Sequence, residues 1–406
     1  MEPVKERSAI VVGGSHAGLL AANLLLRAGW DVQVYDRAPT GASGGGAGII
    51  THPELVEVLG AAGCPVGPAF GIPISGRVVL DREGRVVAER ALPQVMSTAR
   101  RVLALLREAF PVERLHGDHR LSALLQEDHG VHVRFANGVR ASAQLLVAAD
   151  GTRSQVRAML FPDAKPEYAG YIAWRGLVDM ADLPAAARSV AEGRIAIALP
   201  PREQALGYPV PGVHGPQFNA LWYRPLYPGE RLAALLTDAE GVRHPHGIAP
   251  DQIRPELVRA LQADAAAILP PPFRDAFERM PQPFFQQIYD LEPSRIVMGR
   301  VALVGDAAFV ARPHTGLGVT KAALDAAALV EAVGAPGTTI PDALVRYNAA
   351  RIAFGRAVVA RGRFLGEYLH AQIGSDAERA AAERNRSAEA TLRDTAVSVA
   401  EALNTH

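Results

Sequence analysis

Cysteine is almost missing from this chain: Cys64 is the single one among 406 residues. One thiol cannot close an internal disulfide, and Cys64 has no neighbours at metal-ligand spacing, so no disulfide framework and no metal site are expected, and a reducing, cytoplasmic setting fits. A charge excess of either sign is missing as well. The 42 basic residues balance the 42 acidic ones, and the densest basic stretch, Arg100, Arg101 and Arg107, lies in a short helix-like segment of mixed character, so no nucleic-acid partner is expected. No uninterrupted apolar run of about 18 residues occurs, and the first residues lack the apolar core of a signal peptide; no membrane span is expected.

What remains is an ordinary globular composition, 49% hydrophobic and 21% charged, in a chain too long for one small core. Two structural units sharing an interface are the default. Ala9 to Gly13 is a short apolar run that enters a glycine-rich turn; Ala17 to Ala28 has helical composition, and Asp31 to Tyr35 alternates as a strand. This is a βαβ unit. Gly41 to Gly48 is too rich in glycine for regular structure, so its backbone either moves or passes very close to another group. Val131 to Phe135 and Gln144 to Ala149 read as strands, the second as one buried on both faces. From about Tyr168 to Leu291 aromatic strands and Pro-rich turns take over, with helical inserts near Arg231 to Thr237 and Asp251 to Leu269. Val301 to Val304 then resumes the buried-strand pattern, Gly318 to Val333 a helix, and Ile340 to Leu403 is nearly all helix formers, broken near Gly374 and Ser375.

Gly13-Gly14-Ser15-His16-Ala17-Gly18 stands where strand turns to helix, the dinucleotide pattern with serine in place of its middle glycine. Gly13 serves the tight turn, a small Ser15 lets backbone approach a pyrophosphate, and Gly18 lets helix and strand pack closely. Asp36, 18 residues after Gly18 at the end of the second strand, is placed to accept hydrogen bonds from an adenosine ribose. Alone, this unit fits NAD or FAD equally.

Two further elements narrow the choice. Leu145 to Ala149 runs into Asp150-Gly151, with Ser154 and Arg157 following; Val301 to Val304 runs into Gly305-Asp306, with Pro313, Gly316, Gly318 and Asp325 following. The three elements in this order resemble the flavoprotein aromatic hydroxylases, the family of p-hydroxybenzoate hydroxylase. Within it, Val12 to Gly18 with its Ser15, Tyr168-Ala169-Gly170-Tyr171-Ile172-Ala173-Trp174-Arg175-Gly176, and Gly299 through His314 are similar to the branch acting on hydroxypyridines. Leu317 and Thr320 stand where the family usually has Gln and Asn, which affects side-chain contacts and leaves the backbone cradle intact.

The resemblance implies an α/β fold: a Rossmann-like FAD-binding domain (1–72, 100–167 and 292–338) with an inserted β-sheet substrate domain (73–99 and 168–291) and a helical C-terminal region (339–406). It implies FAD contacts from Gly13, Gly14, Ser15, Ala17, Gly18, Asp36, Arg37 and Gly48, and from Asp150, which in the family also serves the reduced nicotinamide. It implies further contacts from Gly305, Asp306, Pro313, Gly316, Leu317 and Gly318. Asp306 suits the ribityl hydroxyls, and backbone N–H groups near Gly316 and Gly318 suit the flavin edge that becomes negative on reduction. The implied reaction is hydroxylation of an electron-rich aromatic or N-heteroaromatic ring by O2 through a flavin C4a-hydroperoxide, with NADH or NADPH bound transiently as electron donor because only one nucleotide fingerprint is visible.

His314, directly after Pro313, is the leading group for orienting or deprotonating such a substrate, and His52 is the second candidate. Tyr208, Trp222 and Tyr223 are candidates to line the ring pocket, and the helical tail is a candidate homodimer surface. The Trp-x-Trp-x-Ile-Pro signature of flavin halogenases is absent. A non-catalytic flavin-binding sensor, or another FAD oxidoreductase of the same fold, is the alternative reading.

Overall fold

The computed structural model describes residues 5–39, 48–369 and 375–404. Gly41 to Ala47 of the glycine-rich stretch, Gly374 at the expected break in the tail, and Met1 to Val4 lie outside the described residues.

Five parallel strands form the first sheet in the order Val301–Leu303, Leu145–Ala148, Ser8–Val12, Asp31–Tyr35 and Leu115–His116, with Val297–Met298 antiparallel at one edge. Its three central strands are the three apolar runs read from the sequence, and all are buried, as parallel strands covered on both faces must be. The strand ends that carry Gly13, Asp150 and Gly305 therefore lie side by side. Helices His16–Arg27, Gly318–Gly334 and Ile340–Gly366 pack together beside this sheet. An antiparallel meander, Leu121–Glu127, Gly130–Phe135 and Arg140–Ala143, adds Leu121, Val131, Val133 and Phe135 to the same core.

The second sheet has eight strands in the order Phe284–Asp290, Glu167–Asp179, Pro216–Pro225, Gln204–Pro211, Arg194–Ala198, Ile72–Leu80, Val86–Thr98 and Gly48–Thr51. Gly48–Thr51, expected with the nucleotide-binding segments, pairs here with Val86–Thr98. One face of the sheet packs Trp174, Phe218 and Trp222 against helices Pro255–Ile268 and Pro271–Arg279. The other face carries Tyr171, Tyr208 and Tyr223 and is covered by Tyr368, Leu369, Leu392 and Ala396 from the tail. The tail is tied down further by Arg77, which donates to the carbonyls of Thr395 and Ala396. Much of the tail's apolar surface is thus committed to its own chain, which leaves less of it for a second copy than the sequence implied.

Candidate active site

Gly13 has φ +111°, and a Cβ there would stand 2.4 Å from the Ala149 carbonyl oxygen; a Cβ on Gly18 would stand 1.8 Å from the Gly13 oxygen. Both are contacts with backbone, so neither position admits a side chain without moving a strand. Gly13 N–H is taken by the Tyr35 carbonyl at 2.8 Å, which joins the turn to the second strand. Ser15 occupies the N-cap of His16–Arg27 but makes no side-chain capping bond, so the first N–H groups of that helix keep their partner positions open. They face a cleft of about 320 Å3 whose walls include Gly13, Gly14, Ser15, Asp36, Arg37, Arg107, Asp150 and Arg153. An uncapped helix start in a cleft with arginines on its rim suits a pyrophosphate. The Asp36 carboxylate accepts from Gly14 N–H and, at 2.8 Å, from Ala38 N–H, which fixes it at the cleft wall.

Asp150 also lines this cleft, but its carboxylate is engaged by the chain itself. It accepts from Ser154 Oγ, from Gln155 N–H at 2.7 Å and from Val156 N–H at 3.2 Å, and so caps helix Gln155–Leu160. Burial pushes its pKa up, and these hydrogen bonds pull the other way. Arg157 is buried and donates to the Ala307 carbonyl at 2.9 Å, tying the second element to the third. Gly305 has φ +60°, and a Cβ there would meet the Ala17 Cβ at 2.6 Å, which locks the third element against the first helix. Asp306 is an exposed residue at this turn, and desolvation raises its pKa while the Lys321 charge and a hydrogen bond with Thr152 pull it down.

Beneath the Gly305 turn lies a network that the sequence reading missed. Asp325 accepts from Gly305 N–H at 3.1 Å, from Lys321 Nζ at 3.1 Å and from Arg351 Nε at 2.8 Å, with Lys321 and Asp325 both buried. Lys321 also donates to the Gly305 carbonyl at 2.8 Å. The turn is thereby fixed to helix Gly318–Gly334, whose own start has no side-chain cap. A Cβ at Gly318 would meet nothing within 4 Å, so this second open helix start faces free space, and the preceding Gly316, at φ +69°, turns the chain into it. Leu317 is buried toward Val358 and Val397, so it can serve a ligand through backbone alone. Two helix starts without side-chain caps, the cleft and the exposed Asp306 fit a molecule as long as FAD.

The residues expected to line a ring pocket belong to the eight-stranded sheet. Strand alternation and register place Tyr171, Arg175, Gln204, Tyr208, Asn219 and Tyr223 on one face. Gly48, expected at the cofactor, sits here: its N–H donates to Asn219 Oδ1 at 3.1 Å, and a Cβ would press on Asn219 and Tyr208. His314 lies over this face, its ring 4.3 Å from that of Tyr223 and its Nε2 2.9 Å from the Tyr171 hydroxyl. Tyr171 takes a hydrogen bond from Arg312, which is itself held in a buried pair with Asp290 at 2.9 Å. If the Tyr171 hydroxyl, already accepting from the guanidinium, donates to His314 Nε2, the neutral imidazole carries its hydrogen on Nδ1. That Nδ1 has no partner among the described residues.

Three expectations need correction. His314 is pushed down to about 3 by burial and by the neighbouring Arg312 charge, so it stays neutral; it suits orienting a substrate as a donor and is a poor base at neutral pH. His52 has both nitrogens engaged, Nδ1 with Thr320 Oγ1 at 2.9 Å and Nε2 with the Val397 carbonyl at 3.2 Å, and holds the start of Gly318–Gly334 to the tail. Trp222 follows Tyr223's neighbouring register position onto the opposite face, where it packs on Phe277 under the Arg224 guanidinium and cannot line the same pocket. The arginine that helix Ala99–Glu108 contributes to the nucleotide cleft is Arg107, about two helical turns beyond Arg100 and Arg101. Among the described residues no group of His, Cys, Asp and Glu could hold a metal, and no helix is long and apolar enough to cross a membrane.

Comparison with known proteins agrees with this architecture. A family described as FAD binding domain matches residues 6–205 and 290–362, and one described as FAD binding domain-like matches 168–290. The 2,6-dihydroxypyridine 3-monooxygenase of Paenarthrobacter nicotinovorans is 34% identical over 339 residues, covering 82% of this chain and 83% of that protein. The solved structure of 2,6-dihydroxypyridine-3-hydroxylase from Arthrobacter nicotinovorans matches with a TM-score of 0.85 at 30% identity, over 93% of this chain and 96% of that one. Klebsiella pneumoniae HpxO complexed with FAD and uric acid has the same fold, with a TM-score of 0.78 at 24% identity over 97% of both chains.

Proposed function

Because the chain belongs to the FAD-dependent monooxygenases, we propose that it hydroxylates an electron-rich hydroxylated aromatic or N-heteroaromatic ring of the hydroxypyridine kind. NADH or NADPH is the external donor: it supplies two electrons, one atom of O2 enters the ring, and the other leaves as water. FAD, when bound, supplies the redox and oxygen-activating chemistry. The observation that carries the reading is the position of His314, four residues before Gly318, which brings a ring pocket up to the second open helix start.

The chain's own residues have separable tasks in this reading. The N–H groups at Gly318 stabilise negative charge that develops beside them. Tyr171 and Arg312 hold the His314 imidazole in one tautomer, and its Nδ1–H meets an oxygen on the ring. Tyr208 and Tyr223, both fully inside the protein with their pKa values raised by burial, stay protonated and help keep water out. Buried Cys64 suits a reducing cytoplasm, where it meets no oxidising partner.

Purified FAD-loaded protein should oxidise NADH or NADPH slowly alone and about tenfold or more faster with a hydroxypyridine, with O2 uptake and a hydroxylated product. A panel of hydroxypyridines and phenols that leaves the oxidation rate unchanged would overturn the proposal. Asp306→Ala should release flavin, whereas His314→Ala should keep the protein yellow and slow product formation.

A further inference from the structure

We infer that Arg175 binds an anionic oxygen carried by the aromatic substrate, a ring oxyanion or a ring carboxylate, and so selects the ionised form of the ring. The inference rests on the proposed reading of this pocket as the substrate site. Arg175 lies in the face shared by Tyr171, Tyr208 and Tyr223, opposite Leu221 in the register of its neighbouring strand. It is 9% exposed, and its one hydrogen bond among the described residues runs from Nη1 to the neutral Gln286 Oε1 at 3.2 Å. Its Nε has no partner.

Other buried arginines have more partners. Arg312, Arg351 and Arg361 each face a carboxylate, Arg157 donates to three carbonyls, and Arg77 donates to two carbonyls and the Gln94 amide oxygen. A guanidinium with neither arrangement is costly to keep from water unless something else brings the opposite charge. Its surroundings carry the same surplus of donors. Asn219 gives its oxygen to Gly48 N–H, which fixes the amide and leaves Nδ2 without a partner; Gln204 receives the Tyr368 hydroxyl on Oε1 and leaves Nε2 without one. With His314 Nδ1, three uncharged polar nitrogens without partners and one cation share this face, and among the described residues no ion pair joins Arg175 to a carboxylate. The complement is a small acceptor-rich ring with a full negative charge, whose ionisation also makes the ring more electron-rich.

The test compares anions with neutral isosteres on oxidised, FAD-loaded protein: 4-nitrophenolate against 4-nitroanisole, and benzoate against benzamide, each followed by its perturbation of the flavin spectrum. The wild type should bind at least one anion about tenfold to a hundredfold more tightly than its isostere, and the pair showing the preference identifies oxyanion or carboxylate as the source. Arg175→Gln should abolish the preference with the flavin still bound. Arg175→Lys should keep a reduced preference, and carries the test if the glutamine variant loses flavin. Equal binding of anion and isostere in both pairs, or an undiminished preference in Arg175→Gln, overturns the inference. Preference without any ring-stimulated NAD(P)H oxidation would instead sink the hydroxylase reading and leave the anion site standing.

Discussion

The nucleotide cleft and the ring pocket are built in opposite ways. The cleft is made of backbone: glycines at Gly13, Gly18 and Gly305 where a Cβ would collide, and two helix starts without side-chain caps. The pocket is made of side chains brought together by strand register, with a histidine, three tyrosines, two amides and an arginine on one face. In the proposed reading, backbone shape holds a constant cofactor and side chains read a variable ring. Substitutions in the first region should therefore change stability and flavin content, and substitutions in the second should change ring recognition while flavin stays.

The largest effect is expected at Asp325, which anchors the Gly305 turn and neutralises two buried cations. Asp325→Ala should cost about 3–5 kcal/mol in urea unfolding, because Lys321 and Arg351 lose their counter-charge together. A loss under about 1 kcal/mol would show that the turn stands without the network. Gly18→Ala comes next. Its Cβ meets the Gly13 carbonyl, so about 1–3 kcal/mol of stability and most of the bound FAD should go, read as the flavin-to-protein absorbance ratio.

A smaller, graded effect belongs to the pocket. Burial holds His314 near 3 and also lowers His52 and His16. Below the unfolded value of about 6.5 the unfolded chain binds protons that the folded chain refuses, so stability falls as pH falls, by roughly 1.4 kcal/mol per pH unit for each such histidine. The His314 share levels off near pH 3. Denaturation midpoints for wild type and His314→Phe should converge as pH drops from about 6.5 to about 4, and parallel curves would contradict the assignment. The smallest effect is at Trp222. Trp222→Phe, on the far face, should cost less than about 1.5 kcal/mol and leave ring affinity within about twofold, whereas Tyr223→Ala should disturb ring affinity.

That same division explains what was legible in the sequence. Strand Asp31–Tyr35, helix His16–Arg27 and the buried strands were readable because periodicity and glycine spacing are local. Helix Pro271–Arg279 was not, because Pro270, Pro271 and Pro272 read as a turn although proline is tolerated in a first helical turn. The reach of Arg351 to Asp325 and of Arg157 to Ala307 joins elements distant in sequence, so no local pattern announced them, although Lys321 and Asp325 are one turn apart on one helix. The His314 register with Tyr171 is of the same kind. Trp222 and Tyr223 differ in that respect: adjacent residues on a strand point to opposite faces, so period two alone forbade both from lining one pocket.

The central sheet pairs Val147 with Val11 on one side and with Ala302 on the other. Five of the eight strands of the second sheet lie between the last two partners, so the Gly305 strand joins the central sheet only when a very long loop has found its ends. Chains dominated by such distant pairings fold slowly, because the entropy of closure is lost before the contacts reward it. Refolding of this chain is therefore expected to complete the Gly305 side of the flavin site only after that closure.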